Sequence, residues 1–337
     1  TSFDANWNAA PQATKYFLDV STSNTFSPLV TGWSNVDVGN VTTYTVNTNL
    51  TAGTSYYYRV RASNANGTSG NSNSISLITV PPAPVELAAT GVSTSSFSAN
   101  WNLTTGASKY FLDVSTDNTF GAGNFVSGYE NLDVGNVLTY SVNTNLSPST
   151  NYYFGVRAFN AGGTGASSGT ASLLTAPVAP VATAATAVTS SSFSANWNAA
   201  AGADGYYLDV ATDNTFGASF LVGGFNGIDV GNVLTYSVNL NLTPGTTYYY
   251  RIRSYNTGGI SINSNTITGG TAPAAPVTAA PSSITSTGFS ANWNPVSGAS
   301  GYRLDLSTAS DFSSFVAGYE DLNVNNVLTR AITGLSE

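Results

Sequence analysis

Oxygen-rich side chains recur along this chain of 337 residues in a pattern that could serve calcium. Asp209 follows Asp113 by 96 residues, and Asp229 follows Asp133 by the same interval. The two sets are Asp113, Asp117, Asn118, Asp133 and Asn136, and Asp209, Asp213, Asn214, Asp229 and Asn232. Calcium takes six to eight oxygen ligands at one point. EF-hand spacing is absent, and Asn323 replaces Asp133 in a later copy, so the pattern favours turn residues that bond to backbone over calcium ligands.

Aromatic residues form a second recurring set. Side chains of a strand alternate between faces, which places aromatic residues of two strands on the outward face of each repeat. These are Phe17 and Tyr57, Phe111 and Tyr153, and Tyr207 and Tyr249, while Trp33, Tyr129, Phe225 and Tyr319 recur in a longer segment between strands. An exposed strip could stack on sugar rings. Uncovered on every repeat it would promote aggregation, so we expect the longer segment to bury it.

Arginine and aspartate recur on the same predicted face. The arginines are Arg59, Arg61, Arg157, Arg251 and Arg253, and the aspartates are Asp19, Asp113, Asp209 and Asp305. These five arginines are more than half of the nine cationic residues. We expect cross-strand ion pairs on the outer face, each contributing a few tenths to about 1 kcal/mol. This interpretation gives the charges a structural role.

Composition excludes several classes of function. Nine Lys and Arg and a net charge of −8 argue against nucleic acid binding, which needs clustered cations. Histidine and cysteine are absent, which removes the usual general base and the thiolate metal ligands. The carboxylates recur once per repeat instead of converging on one cleft. We therefore expect no catalytic activity and no cofactor.

The elements that must position these residues are strands. Phe97, Ala99 and Trp101 alternate with polar residues, as does the stretch from Tyr110 to Val114. Period-2 alternation is typical of half-buried strands. No stretch shows a sustained helical period, and short strands separated by polar turns indicate a β-sandwich.

The chain is built from one repeated unit. A segment close to Phe-Ser-Ala-Asn-Trp ends at each of four tryptophans, which lie 94, 96 and 96 residues apart. The four are Trp7, Trp101, Trp197 and Trp293. Proline-rich runs begin at Pro81, Pro177 and Pro273, and such runs favour extended, stiff connections. The predicted domains are residues 1–80, 81–176, 177–272 and 273–337, of which the first lacks its first strand and the last lacks its final two.

The sequence resembles the fibronectin type III family. The resemblance rests on the tryptophan of the second strand and on the stretch from Leu242 to Asn256, with its Leu-x-Pro-Gly-Thr-x-Tyr pattern. Related stretches run from Leu50 to Asn64 and from Leu146 to Asn160. The resemblance implies tandem seven-stranded immunoglobulin-like sandwiches, with the four tryptophans in the cores. It also implies a tyrosine corner, in which a hydroxyl bonds to the preceding turn, at Tyr56, Tyr152 and Tyr248.

The predicted function is that of a spacer in a long extracellular or cell-surface repeat protein of bacterial type: a stalk, filament or adhesin shaft. One alternative is a set of carbohydrate- or protein-binding modules that act by avidity, and another is the linker array of a secreted polysaccharide-degrading enzyme. The expected partners are other copies of the chain or surface glycans. Anchoring is expected through parts of a parent protein outside this sequence.

Overall fold

The computed structural model describes residues 1–336, and its first repeat begins with what the family would count as a second strand. The strands of this repeat are β1 (Phe3–Asn6), β2 (Lys15–Ser21), β3 (Val36–Gly39), β4 (Thr43–Val46), β5 (Ser55–Asn64), β6 (Gly67–Thr68) and β7 (Ile75–Ile78). One sheet has the order β1–β4, and the other has the order β3–β2–β5–β6 with β7 also paired to β5.

The second repeat is a complete sandwich of two antiparallel sheets. Its strands are β8 (Glu86–Thr90), β9 (Phe97–Trp101), β10 (Lys109–Ser115), β11 (Leu132–Gly135), β12 (Thr139–Val142), β13 (Asn151–Asn160), β14 (Gly163–Ser167) and β15 (Ala171–Leu174). The sheets run β8–β9–β12 and β11–β10–β13–β14, and β15 also pairs with β13. Because β14 and β15 form one interrupted edge, the repeat has the predicted seven strands.

The third repeat has the same topology. Its strands are β16 (Ala182–Thr186), β17 (Phe193–Trp197), β18 (Gly205–Ala211), β19 (Ile228–Gly231), β20 (Thr235–Val238), β21 (Thr247–Asn256), β22 (Gly259–Ile260) and β23 (Ile267–Gly270). A three-residue 3₁₀ turn at Ala218–Phe220 interrupts the otherwise all-β structure.

The fourth repeat contains two smaller sheets, ordered β24–β25–β28 and β26–β27. Its strands are β24 (Thr278–Thr285), β25 (Gly288–Trp293), β26 (Tyr302–Leu304), β27 (Leu322–Asn325) and β28 (Thr329–Thr333). The chain divides into two compact units, one of residues 1–176 and one that begins at Pro177. Across residues 1–336, no helix has the length and apolar character needed to cross a membrane.

Alternation along the strands builds each core. In β9, Phe97, Ala99 and Trp101 point inward and are at most 1% exposed. The Trp101 ring lies 5.7 Å from that of Tyr110, and the same pairing recurs in the other repeats. Trp197 and Trp293 are also buried, whereas Trp7 is only half-buried. Within residues 1–336, β1 pairs only with β4, whereas its counterpart β9 pairs with both β8 and β12.

A tyrosine hydroxyl fixes the turn before the longest strand in three repeats. It accepts a backbone N–H five residues upstream, from Thr51 to Tyr56 at 2.7 Å and from Ser147 to Tyr152 at 2.7 Å. Tyr248 does the same in the third repeat, at 2.8 Å. Each of these tyrosines is 2% exposed, so the bond satisfies a buried polar atom.

Candidate functional site

The candidate site is the outer face of the larger sheet, which the pairing of β10 with β13 positions in the second repeat. Asp113 lies opposite Gly155, and Phe111 lies opposite Arg157. The same register in the third repeat places Asp209 opposite Arg251 and Tyr207 opposite Arg253. In an antiparallel pair, residues directly opposite project on the same face. The ladder therefore brings the recurring carboxylate and the recurring arginines together.

Asp113 is held by several donors in the second repeat. Its carboxylate accepts the backbone N–H of Asn131 at 2.6 Å and the Arg157 Nη2 at 2.7 Å. Arg157 also donates to Asn131 Oδ1 at 3.0 Å. The Asp113 side chain is 12% exposed, so these charge-assisted bonds replace most of its hydration. The arrangement ties a loop residue to two strands.

The first and third repeats use two arginines for the same carboxylate. Asp209 accepts Arg251 Nε at 3.0 Å and Arg253 Nη2 at 3.3 Å, together with the Gly227 backbone N–H at 2.6 Å. In the first repeat, Asp19 accepts from Arg59 and Arg61 in the same way. Their carboxylates are only 3% and 4% exposed. These buried anions are thus paired and fully hydrogen-bonded, as burial of a charge requires.

The fourth repeat pairs its charges differently. Its strands end before a counterpart of β13, so Asp305 has no opposing arginine strand within residues 1–336. Asp305 accepts the backbone N–H of Asp321 at 2.6 Å. Arg303 binds the Asp321 carboxylate at 2.6 Å, in a pair that is about two-thirds exposed. An ion pair so open to solvent adds little stability.

In the first three repeats, a phenylalanine that sequence reasoning did not identify packs beside the carboxylate–arginine pair. The guanidinium of Arg59 lies 4.1 Å from the ring centre of Phe26, and Arg251 lies at the same distance from Phe216. In the second repeat, Phe120 occupies the space that Gly155 leaves free. All three phenylalanines adopt a positive φ, from 53° to 56°, which is uncommon for a bulky residue. The recurring Asn-Thr-Phe tripeptide was the available signal.

The carboxylates considered for calcium are bound to protein donors instead of converging. Asp133 pairs with Lys109 at 2.6 Å and accepts the Gly135 backbone N–H, and the hydrogen bond from Lys109 lowers the Asp133 pKa. Asp117 accepts from Thr119 and Asn124, and the Thr119 hydroxyl lowers its pKa. Turn bonds bind Asp117, and a turn bond together with the cross-strand Lys109 ion pair binds Asp133.

Asp229, the counterpart of Asp133 in the third repeat, has a different partner. Gly205 stands where the second repeat has Lys109, and the Tyr255 hydroxyl donates to the Asp229 carboxylate at 3.1 Å. Burial, and then the hydrogen bond with Asp229, raise the pKa of Tyr255. The Tyr255 phenol therefore donates to this carboxylate where the Lys109 ammonium does so in the second repeat. No group of three or more acidic side chains within residues 1–336 is arranged to hold a metal ion.

The outward aromatic residues do not form the single buried cluster that we expected. Phe111 lies opposite Arg157, whereas Tyr153 lies opposite Ser115, four residues along the ladder. At about 3.4 Å per residue, this register separates the two by roughly 14 Å along the strand. Tyr129 belongs to the core of the sandwich, where it is 5% exposed. The expectation of one covered strip is wrong because alternation fixes the face and not the register.

In the second and third repeats, the longer segment buries Tyr129 and Phe225 in the core and leaves the outer face partly open. Phe225 is 1% exposed in the core of the third repeat, as Tyr129 is buried in the second. Tyr153, Tyr207 and Tyr249 remain half-buried on the outer face. In the first and third repeats, the segment contacts that face through the phenylalanine that packs on an arginine of the Asp–Arg pair.

Two half-buried aromatic pairs stand at the far end of this face. Phe111 meets Phe159 edge-on at 5.9 Å, and the Lys109 ammonium lies 4.9 Å from both ring centres. In the third repeat, Tyr207 and Tyr255 pack at 4.7 Å. In each pair, the two rings bury part of their surface against each other. The remaining exposed surface is what a ligand could use.

The comparisons with known proteins agree with this architecture. The chain matches the fibronectin type III domain over residues 1–78, 82–173 and 178–270. These ranges cover most of the chain, and it belongs to the fibronectin type III family, with three tandem domains matched. The all-β sandwich fold expected from the sequence is confirmed.

Curated relatives include two larger proteins. Exoglucanase B of Cellulomonas fimi is 28% identical over 263 residues, which is 71% of this chain and 22% of that protein. Fibronectin type III domain-containing protein 7 of Mus musculus is 25% identical over 289 residues, 84% of this chain and 35% of that protein. This chain thus spans about a fifth and a third of their lengths. A crystal structure of chicken CNTN1 FN1–FN3 domains is 23% identical, with a TM-score of 0.35 over 81% of this chain and 94% of that one.

Proposed function

We propose that the chain is a structural spacer within a secreted or cell-surface protein. The observation that carries the proposal is that the outer-face carboxylates are bound by donors of their own repeats. Asp19, Asp113 and Asp209 are each bound by arginine and backbone donors of their own repeat. Groups committed in this way stabilise the repeat and are not free to recognise a partner.

The tandem arrangement supports the proposal. Three successive domains match one family, and the same carboxylate–arginine pairing recurs on the outer face of each. Relatives of this chain include a protein named exoglucanase, of which it matches only about a fifth. A linker array within a secreted polysaccharide-degrading enzyme is the form of spacer that this relative favours. Extracellular location, anchoring by other parts of a parent protein, and contact with other copies of the chain belong to the same proposal.

A second candidate is weak, multivalent binding of glycans. It is favoured by the half-buried Tyr207–Tyr255 pair, which offers ring surface next to the carboxylate of Asp229. Aromatic rings supply large apolar contact area, and carboxylates accept hydrogen bonds from hydroxyl groups. Repetition along the chain would raise a low affinity by avidity. The Tyr207–Tyr255 pair of the third repeat would be the main site, and the Phe111–Phe159 pair of the second repeat would add the further site that avidity needs.

An exchange of repeats separates the two functions. In one variant, residues 177–272 are replaced by a second copy of residues 81–176, and in another they are deleted. A spacer keeps its maximum dimension in small-angle scattering after the exchange and loses it after the deletion, with no retention of any form on cellulose or chitin columns. If the original chain is retained and the exchanged chain is not, the third repeat is a binding module and the spacer proposal fails.

A further inference from the structure

The two repeats of the first unit meet through backbone at a pair of glycines. Gly53 lies in the turn before β5, and Gly106 lies in the loop after β9. A Cβ atom on Gly53 would overlap the carbonyl of Thr105, and one on Gly106 would overlap the backbone of Gly53. Both glycines have a positive φ, 66° and 71°. The two turns therefore approach so closely that neither position has room for a side chain in this arrangement.

The hairpin between β13 and β14 makes a second backbone contact with the end of the first repeat. A Cβ atom on Gly162 would overlap the carbonyl of Ile78, and one on Gly165 would overlap the carbonyl of Pro81. Ile78 ends β7, and Pro81 lies three residues further along, in the connection to the second repeat. The β13–β14 hairpin of the second repeat thus packs against the segment that connects the first repeat to the second.

Asn160 joins these two contacts. Its Nδ2 donates to the Thr79 carbonyl of the first repeat at 2.9 Å and to the Gly106 carbonyl of the second at 3.0 Å. Its Oδ1 accepts the Gly162 backbone N–H at 2.8 Å. The residue is 2% exposed. A buried amide satisfied on both sides of a junction fixes orientation, because rotation of either repeat would leave it unpaired.

Comparison with the other repeats shows which residues of this contact recur and which differ. The second unit repeats the glycine pair: a Cβ atom on Gly298 would overlap the backbone of Gly245, as one on Gly106 would overlap Gly53. The first repeat has other residues at the positions of the three glycines of the second repeat that contact the first. Gln12, Asn66 and Ser69 stand there in place of Gly106, Gly162 and Gly165. Those side chains would occupy the space that the preceding repeat fills.

We propose that Asn160 and the three glycines Gly106, Gly162 and Gly165 form a docking seat for the end of a preceding fibronectin type III repeat. The seat holds the first and second repeats in one fixed orientation. Tandem domains move relative to each other by default unless their interface constrains them, and this seat is the constraint. The first repeat, with Gln12, Asn66 and Ser69, does not offer the same seat. The proposal concerns the junction and stands whether the chain is a spacer or a binder.

The test is a spin-label distance measurement in the full chain. The protein has no cysteine, so labels attach only at the introduced cysteines of Thr43→Cys and Thr139→Cys, which are exposed positions in equivalent strands of the two repeats. We expect one narrow distance distribution by pulsed electron resonance. Gly162→Asn should broaden the distribution by about twofold, because the added side chain displaces Ile78 and releases the junction.

The matched control is Ala161→Asn, which adds the same side chain to the exposed neighbouring residue and should leave the distribution narrow. Gly53→Ser is a second variant, and it should broaden the distribution like Gly162→Asn. Both substitutions copy residues that other repeats hold at these positions, Asn66 and Ser149, and Ser149 adopts a φ of 48°, so the repeats themselves should fold. Unchanged amide exchange within β5 and β13 verifies this. A broad distribution in the parent protein, or a narrow one in both variants, overturns the proposal.

Discussion

The second and third repeats carry the same outer-face carboxylate with different partners. Asp209 lies between Arg251 and Arg253, whereas Asp113 has Arg157 alone and faces Gly155. In the third repeat, the Phe216 ring packs on the Arg251 guanidinium. In the second repeat, Phe120 instead contacts the position where a Gly155 side chain would begin.

The difference shows which part of the site the fold requires. Both carboxylates accept a backbone N–H from the loop 18 residues ahead and at least one guanidinium. Where the third repeat has Arg251, the second repeat has Gly155, with the Phe120 ring beside it. Burial follows the number of partners, since the carboxylate with two arginines is 3% exposed and the one with a single arginine is 12% exposed. The two repeats share the hydrogen bond from the loop backbone to the carboxylate, and they differ in the number of arginines that pair with it.

The largest expected effect belongs to a feature that the two repeats share. Phe225→Ala and Tyr129→Ala each remove a buried aromatic ring and should lower the free energy of unfolding of their own repeat by about 3–5 kcal/mol. Amide exchange in β21 and β13 measures the two repeats separately. A loss below 1 kcal/mol would mean that these rings are not part of the cores.

Removal of the carboxylate charge should distinguish the repeats. Asp209→Asn leaves two guanidinium groups facing each other without a counter-charge, and we expect a loss of about 2–3 kcal/mol in the third repeat. Asp113→Asn leaves one, and we expect about 1–2 kcal/mol in the second repeat. Both figures are reduced for solvent screening, because the arginine side chains are a quarter or more exposed. Equal losses by amide exchange would show that the second arginine does not matter.

A smaller effect tests the tyrosine corner, which the two repeats have in common. Tyr152→Phe removes the acceptor of the Ser147 backbone N–H and should cost about 1 kcal/mol in the second repeat. Tyr248→Phe should cost the same in the third, where the donor is Thr243. An unchanged denaturation midpoint for both variants would argue that the hydroxyl contributes nothing to the turn.

The smallest effect concerns the other end of the face, where Lys109 in the second repeat is replaced by Gly205 in the third. The hydrogen bond from Lys109 lowers the Asp133 pKa, so the pair's contribution is present above the ordinary Asp pKa of about 3.9 and is lost as the pH falls through the lowered value. Lys109→Met should raise the Asp133 pKa. It should leave the Asp117 pKa unchanged, since Thr119 lowers that one. Carbon NMR titration of the two carboxyl groups measures both pKa values. An Asp133 pKa that is unchanged in the Lys109→Met variant would contradict this account.

Sequence alone was sufficient for the architecture. Alternation along β9 and the tyrosine motif predict which residues face the cores, because both depend on local pattern. The same alternation places Asp209 and Arg251 on one face. It does not place Phe111 beside Tyr153, because register depends on turn geometry that the pattern does not contain. The Phe120 contact depends on the positive φ of Phe120; the recurring Asn-Thr-Phe tripeptide marks this loop but does not dictate its conformation.

The most direct test of the central claim asks whether the half-buried aromatic residues serve the fold or a ligand. The double variant Tyr207→Ala, Tyr255→Ala is compared with the parent chain for retention on cellulose and chitin columns and for amide exchange in β18 and β21. The account predicts that the parent chain elutes unretained and that the variant loses stability in the third repeat. Retention of the parent chain that disappears in the variant, with exchange unchanged, would contradict it and identify the chain as a binding protein.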